Sequence, residues 1–548
     1  MFVTLSQNTG GVANGYGPGA QFASDLQTTL VPRSSGGSST PTFTRASTAY
    51  QTDFENKANI VLSGETRFQG ARRVYNLIPA AGTGSASLAI GANKTVTVGV
   101  GTFVFSMGAV ATADSVITFT GTATGLPVGT LTANATKRTS VAMTITVGGT
   151  VIMTASGAIA VDLQLENTTD QANQNPSEYV SIGVLSAPYH GAGVDGVKYF
   201  STLNGNTVAS NVVTEATGAA IVAGVSGVAA TAPVDAGGPY GFWSEGARAD
   251  VLGATAAIRR TMTDVGWVNG GTVTVGAAVG VDGVADAAAS ITGGAVTATN
   301  TILFTTVLGA AVRTYSAWIR RKTGTGTIEI TKDGGVGWTD ITATLTTAYK
   351  QFEVTTASAA NPIVGFRITT NLDAIEVDFN TLEAATFANP TPIPLNVSKA
   401  ADVLTYPVAG NFNTAEGTVY AEWTSAVPTG TAPAIIGDGA SANQFPIYIN
   451  GSTKASTYDG TNVVQAGSAI TLPTTTIHKA AMSWSGSTLS GSSDGSVAAT
   501  GTFDGSMGIT TIAIGFSNAA STYLFGSIRN VRTYPKAPSA AQLAGMTA

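Results

Sequence analysis

Sugar rings stack their apolar faces on exposed indoles and phenols while neighbouring polar groups take the hydroxyls. Trp338 is the residue best placed for this. It follows Lys332-Asp333-Gly334-Gly335-Val336-Gly337, a turn able to carry an indole to the surface, and Asp340 stands close by to accept from hydroxyls. Trp267 and Tyr458 are the next carbohydrate-binding candidates, whereas Trp318, Trp423 and Trp484 fall within strand-like runs and read as core.

Hydrolysis of a glycan would need two carboxylates facing one groove, and Asp162 with Glu166 and Asp378 with Glu383 are the pairs on offer. The pattern occurs in both halves of a repeat, and a duplicated folding signal is commoner than a duplicated active site, so the reading is structural and no enzyme is expected. Only two histidines, His190 and His478, and no cysteine are present. A Ser-His-Asp triad and a thiolate metal site are thereby set aside, and neither a His-Glu-x-x-His zinc motif nor a Gly-rich phosphate loop ending in Gly-Lys-Ser/Thr occurs. Asp195-Gly196, Asp282-Gly283 with Asp286, Asp333-Gly334 and Asp459-Gly460 read first as turns, since Asp-Gly supplies the positive φ that hairpins need. No cofactor is expected; calcium, held by carboxylates and loop carbonyls, is the one ion these turns leave open.

The elements that must position these residues are strands. Of 548 residues, 43% are hydrophobic and only 11% charged, with a formal net charge of -6. The charged share is far below the roughly 25% of ordinary soluble proteins, so Thr, Ser, Asn and Gly carry the solubility. No basic stripe exists for phosphates, so nucleic acid is excluded as a partner. The start, Met1-Phe2-Val3-Thr4-Leu5-Ser6-Gln7, has no secretory pattern, and no run reaches the roughly 18 apolar residues of a membrane span, so no membrane insertion is expected.

Strand signals recur at Thr95–Val98, Phe103–Phe105, Val116–Phe119, Thr327–Ile330 and Ile512–Ile514. Val141, Met143, Ile145 and Val147 alternate with small polar residues, and Gly148-Gly149 before Val151-Ile152-Met153 predicts a hairpin. Short helices are expected near Ser24–Leu30 and Ser539–Met546, the second capped by Ser539. Three landmarks repeat in order: Gly70-Ala71-Arg72 with Gly246-Ala247-Arg248, Lys137 with Lys350, and Val161–Glu166 with Val377–Glu383, pairing Asp162 with Asp378. The chain divides into an N-terminal arm (1–40), a β-sandwich module (41–190), a Gly/Ala-rich connection (191–245), a second module repeating the first (246–395) and a C-terminal jelly roll (396–548). The fold class is all-β and multidomain.

Phe43-Thr44-Arg45-Ala46-Ser47-Thr48-Ala49-Tyr50, then Gly70-Ala71-Arg72-Arg73-Val74-Tyr75-Asn76-Leu77, resembles a pattern of bacteriophage tail and virion structural proteins, where it introduces sandwiches similar to carbohydrate-binding modules. Trp243-Ser244-Glu245-Gly246-Ala247-Arg248-Ala249-Asp250 is similar, with Asp250 where Asn is usual. From about residue 409, Gly417–Trp423, His478–Trp484, Asp494-Gly495 and Gly526–Tyr534 resemble a concanavalin A-like, laminin-G-type jelly roll. The resemblance implies a fibre or tail-type appendage on the virion surface, made in the host cytoplasm. Its expected partners are itself as a homo-oligomer, a trimer by likeness to fibres, other virion proteins through the arm, and host surface polysaccharide. The alternative is a purely structural capsid-decoration or baseplate subunit.

Overall fold

Period-two alternation puts every second side chain of a strand on one face, and where two such faces meet a sandwich closes around them. The computed structural model describes residues 20–26, 30, 32–34, 40–53, 56–70, 73–78, 87–135, 138–171, 176, 212–214, 240–296, 299–395, 398–428, 431–439, 444–451, 454–517 and 522–548. Residues 1–19, His190, Asp195-Gly196 and nearly all of the 191–245 connection, expected as arm, loop and linker, lie outside the described residues.

The first module packs two four-stranded sheets. One runs Thr130–Thr132, Val116–Thr120, Gly149–Ser156, Asn93–Val98; the other runs Gln164–Asn167, Gly101–Met107, Thr139–Ile145, Val212–Thr214. Phe105, Ile117, Val151, Met153 and Leu165 close the core between them. Thr139–Ile145 and Gly149–Ser156 therefore lie in opposite sheets, and the hairpin expected at Gly148-Gly149 is a crossover. The physical reason is that both strands carry an alternating apolar face, which fits two strands facing one another across a core as well as two side by side.

The second module has two five-stranded sheets. Trp267–Asn269, Thr301–Thr305, Ile363–Ile368, Ile328–Thr331 and Thr339–Asp340 form one, and Thr274–Ala278, Ala288–Thr292, Ala374–Glu383, Thr314–Thr323 and Lys350–Thr355 the other. From Thr301 to Glu383 the seven strands follow the same order and the same alternation between sheets as the seven from Asn93 to Asn167. The duplication read from the sequence is thus a duplication of topology. Its register differs from the expected one: Leu165 pairs with Phe105 as Leu382 pairs with Tyr315, and Asp162 (φ 48°) and Phe379 (φ 45°) share the left-handed conformation. Asp162 is the counterpart of Phe379, not of Asp378.

The C-terminal sandwich is completed by distant segments. Its seven-stranded sheet opens with Thr42–Thr44 beside Val403–Pro407, and the strand Gly526–Tyr534 of its other sheet pairs with Phe22–Ser24 and with Gly241–Ser244, which in turn pairs with Phe68–Gln69. Phe22 and Phe242 share its core with Trp423, Trp484 and Ile514. Residues 22–24 are consequently a strand of this sandwich rather than part of a free arm or a helix. The helix Ala540–Thr547 forms as expected, with a Ser539 and Gln542 capping box; the short helix Ala256–Arg259, capped by Thr255, has no signal strong enough to have announced it.

Where these segments converge, a network of charges is fully buried. Arg45 pairs with Asp402 at 2.9 Å, Arg67 with Glu245 at 2.7 Å and also with Asp402, and Lys399 with Glu245 at 3.1 Å; every side chain in it is 0% exposed. Thr391 Oγ1 donates to Glu245, Lys399 Nζ to Gly246 O, and Arg67 Nη1 to Tyr50 O. The residues that carried the resemblance, Arg45 and Glu245, are therefore the pins that join the lead-in of each module to the C-terminal sandwich.

Candidate functional site

Alternation along Ile328–Thr331 sends Ile328 and Ile330 into the second module's core and turns Glu329 outward. Its cross-strand partners are Arg367 on one side and Asp340 on the other, and Arg367 is paired in turn with Thr301. Directly opposed residues share a face, so Thr301, Arg367, Glu329 and Asp340 form one row across four strands on the solvent side. Arg367 Nε donates to Glu329 Oε2. In the next row Leu303 and Thr331 flank Gly365, which is buried and lets the strands pass close: a Cβ there would lie 1.9 Å from Ile302 O.

Trp338 stands beside the first of these rows, against Arg367. The turn that delivers it is pinned by Thr331 Oγ1, which accepts from Gly335 N and donates to Gly337 O, and by Asp333 Oδ1, which accepts from Gly337 N at 2.8 Å. Gly334 and Gly335 take φ of 73° and 91°, conformations that side chains resist. The indole is half-buried: the Arg367 guanidinium lies over the ring at 4.6 Å, and the backbone of Gly335 lies against its pyrrole edge. Asp340 is exposed, and hydrogen bonds from the Thr342 hydroxyl and N–H hold its carboxyl below the usual carboxylate range, so it is an acceptor at neutral pH.

The other candidates are elsewhere. Trp267 is core, 6% exposed, its Nε1 donating to Ile258 O at 2.8 Å and its ring tilted on Phe304, because its strand places it on the inner face. Tyr458 is half-buried in the C-terminal sandwich, stacked on Phe445, with its hydroxyl donating to Gly460 O. Of the four, then, only Trp338 and Asp340 stand together. Sequence reading missed Arg367 and Glu329, which the pairing of three strands assembles and which no local spacing could announce.

The carboxylate pairs take structural partners. Asp378 accepts from Arg260 Nε and Nη2 and from the N–H of Val281 and of Phe379; Glu383 accepts from Asn389 N; Glu166 accepts from Gln164; Asp162 is exposed. Asp282, Asp333 and Asp459 each accept a backbone N–H of their own turn. Among the described residues no group of three His, Cys, Asp or Glu is gathered, and no helix is long and apolar enough to cross a membrane.

No curated protein matches the chain. Solved structures resemble parts of it. A carbohydrate-binding module of the Ruminococcus gnavus IT-sialidase, bound to α2,3-sialyllactose, is 13% identical over 26% of this chain and 92% of its own, with a TM-score of 0.22. Domain 4 of an extracellular arabinanase from Geobacillus stearothermophilus, in complex with arabinotriose, is 17% identical over 27% of this chain and 77% of its own, with a TM-score of 0.22. The Trypanosoma rangeli sialidase is 14% identical over 26% of this chain and 25% of its own, again with a TM-score of 0.22. Residues 398–544 match the family model described as the concanavalin A-like lectin/glucanases superfamily, so the C-terminal sandwich is a concanavalin A-like domain.

Proposed function

We propose that this chain is a non-catalytic adhesion protein that binds surface glycans on the outer sheet face of its second module. The observation that carries the reading is the half-buried indole of Trp338 against the Arg367 guanidinium, beside the solvent-side row of Arg367, Glu329 and Asp340. An aromatic ring with charged donors and acceptors in one row is the arrangement that a flat, hydroxyl-rich ligand requires. The concanavalin A-like domain at residues 398–544 supports it as a neighbour of compatible type.

The setting we propose, from the resemblance of the lead-in motifs, is a fibre or tail-type appendage on a virion surface. Weak sugar contacts there would be multiplied by a symmetric homo-oligomer, a trimer by likeness to fibres, since effective concentration raises avidity by roughly 10² to 10⁴. The test is a polysaccharide array probed with the full chain. Trp338→Ala is expected to lower retention at least tenfold with the melting temperature unchanged, and no reducing ends should be released from the bound polymer. Equal retention by the variant would remove this face from the reading.

A further inference from the structure

A pocket of about 320 Å³ lies between the second module and the concanavalin A-like domain, apart from the face just described. Arg248 forms its polar wall; Phe387, Pro433, Tyr523 and Phe525 supply the apolar ones. The guanidinium carbon is 4.3 Å from the centroid of Phe387 and 4.6 Å from that of Phe525, and the two rings meet edge to face at 5.2 Å. Gly246 lets the chain pass this close: a Cβ there would lie 2.9 Å from the Tyr523 ring. Phe525 holds a φ of 47°, a conformation that bulky residues adopt only when their surroundings impose it.

Ring faces attract a cation but accept little from its N–H groups, and a guanidinium has five to place. The Arg248 guanidinium makes no hydrogen bond to a described residue. Its Nε has no acceptor and is 3.7 Å from Glu383 Oε2, which is also without a donor. Glu383 lies behind it, 0% exposed, while the Arg248 side chain keeps 14% exposure even though its Nε is enclosed. Arg248 is the one charged residue among those lining the pocket.

We propose that this pocket binds the carboxylate-bearing ring of an acidic sugar, with Arg248 clamping the carboxylate and Phe387, Tyr523 and Phe525 enclosing the ring. Two parallel N–H donors match a carboxylate in geometry and charge. The volume is at the lower end of the roughly 300–1,000 Å³ of small-molecule pockets, which suits one ring rather than a chain. An acidic peptide would seek a sheet edge or a groove, whereas Val427, Thr431, Pro433, Thr522 and Tyr523 line this pocket from loops. The inference deepens the glycan-binding reading and rests on it.

The test is calorimetric titration of the full chain with sodium galacturonate, sodium N-acetylneuraminate, galactose and N-acetylglutamate. At least one acidic sugar should bind at least tenfold more tightly than galactose and N-acetylglutamate. Arg248→Gln should weaken that binding at least tenfold. Ala432→Trp, at an exposed position on the rim, plugs the pocket without touching buried charge and should abolish binding; it decides the matter if Arg248→Gln fails to fold. Unchanged binding by the plugged variant, no binding of either acidic sugar, or equal affinity for N-acetylglutamate would overturn the proposal. Retention of neutral polysaccharides without acidic-sugar binding leaves the glycan reading standing and this inference refuted; retention of no glycan at all refutes both.

Discussion

Asn76 and Asp250 hold the same post in the two modules: Oδ1 of Asn76 accepts from Leu165 N at 3.2 Å, and Oδ1 of Asp250 accepts from the equivalent Leu382 N at 2.7 Å. Each also accepts from the N–H two residues on, Ile78 or Leu252. The second side-chain atom is where they differ. The Asn76 amide donates to Leu163 O at 2.9 Å; in the second module the equivalent carbonyl, Asn380 O, receives instead from Arg259 Nε, which also lies 3.0 Å from Asp250 Oδ2. The departure from Asn in the lead-in motif is thus compensated by a buried arginine.

Asn76→Asp puts a carboxylate oxygen against Leu163 O with no arginine to stand between them. A buried, unpaired carboxylate takes up a proton and its pKa rises. Raised above the unfolded value, such a group costs stability at neutral pH and restores it as pH falls through the folded-state pKa, where the protonated carboxyl can donate to the carbonyl. The variant is expected to lose about 3 kcal/mol at pH 7.5 and to recover most of it near pH 5 in urea unfolding. A loss independent of pH would show that the carbonyl contact does not govern this position.

The all-β class, the duplication and the terminal capped helix were legible because each rests on a local pattern: alternation, repeated landmarks in order, and Ser539 three residues before Gln542. The junction was not. Arg45 and Asp402 are 357 residues apart, and the sequence marks each only as an isolated charge. The site was legible in half: the turn carrying Trp338 is local chemistry, whereas Arg367 reaches it through the pairing of Ile328–Thr331 with Ile363–Ile368. The expected hairpin at Gly148-Gly149 failed for a related reason, since alternation tells which side chains face the core but not from which sheet.

The junction holds three cations, Arg45, Arg67 and Lys399, against two anions, Glu245 and Asp402. Removing an anion leaves three cations facing one carboxylate, while removing Arg45 leaves two against two. Breaking a buried pair costs about 3–5 kcal/mol, and charge balance decides the order. Asp402→Asn is expected to destabilise the chain by more than Arg45→Met does, by at least about 1 kcal/mol, in chemical unfolding followed by tryptophan fluorescence. The reverse order would mean that the arginine's bonds to Leu62 O and Ser47 O outweigh its charge.

Burial pushes the Glu383 carboxyl up to about 7, against the N–H of Asn389 and the Arg248 charge that favour ionisation. Between its ordinary 4.5 and about 7 the folded state binds more proton than the unfolded one, so this group's contribution to stability falls as pH rises through that window and is constant above it. The size is about 3 kcal/mol. Burial also raises Asp250 and Asp378, so the quantity to measure is wild type minus Glu383→Gln, by urea unfolding at pH 5 and pH 8. A difference that is the same at both values would place Glu383 in a wetter environment than its burial implies.

The concanavalin A-like domain cannot be cut out at residue 396 without opening its core. Phe22, Leu26 and Phe242 are each 0% exposed in the same cluster as Trp423 and Trp484, and all three belong to segments that precede the cut. Removing a buried Phe costs about 3–5 kcal/mol, and a fragment 396–548 loses two of them together with the strands that flank Gly526–Tyr534. Such a fragment should show no cooperative thermal transition and should bind a hydrophobic dye. In the full chain Phe22→Ala and Phe242→Ala should each lower stability by about 3 kcal/mol. If the fragment instead melts cooperatively with native-like tryptophan fluorescence, the distant strands only decorate a self-sufficient domain, and the buried ion junction would then hold separate bodies together rather than complete one fold.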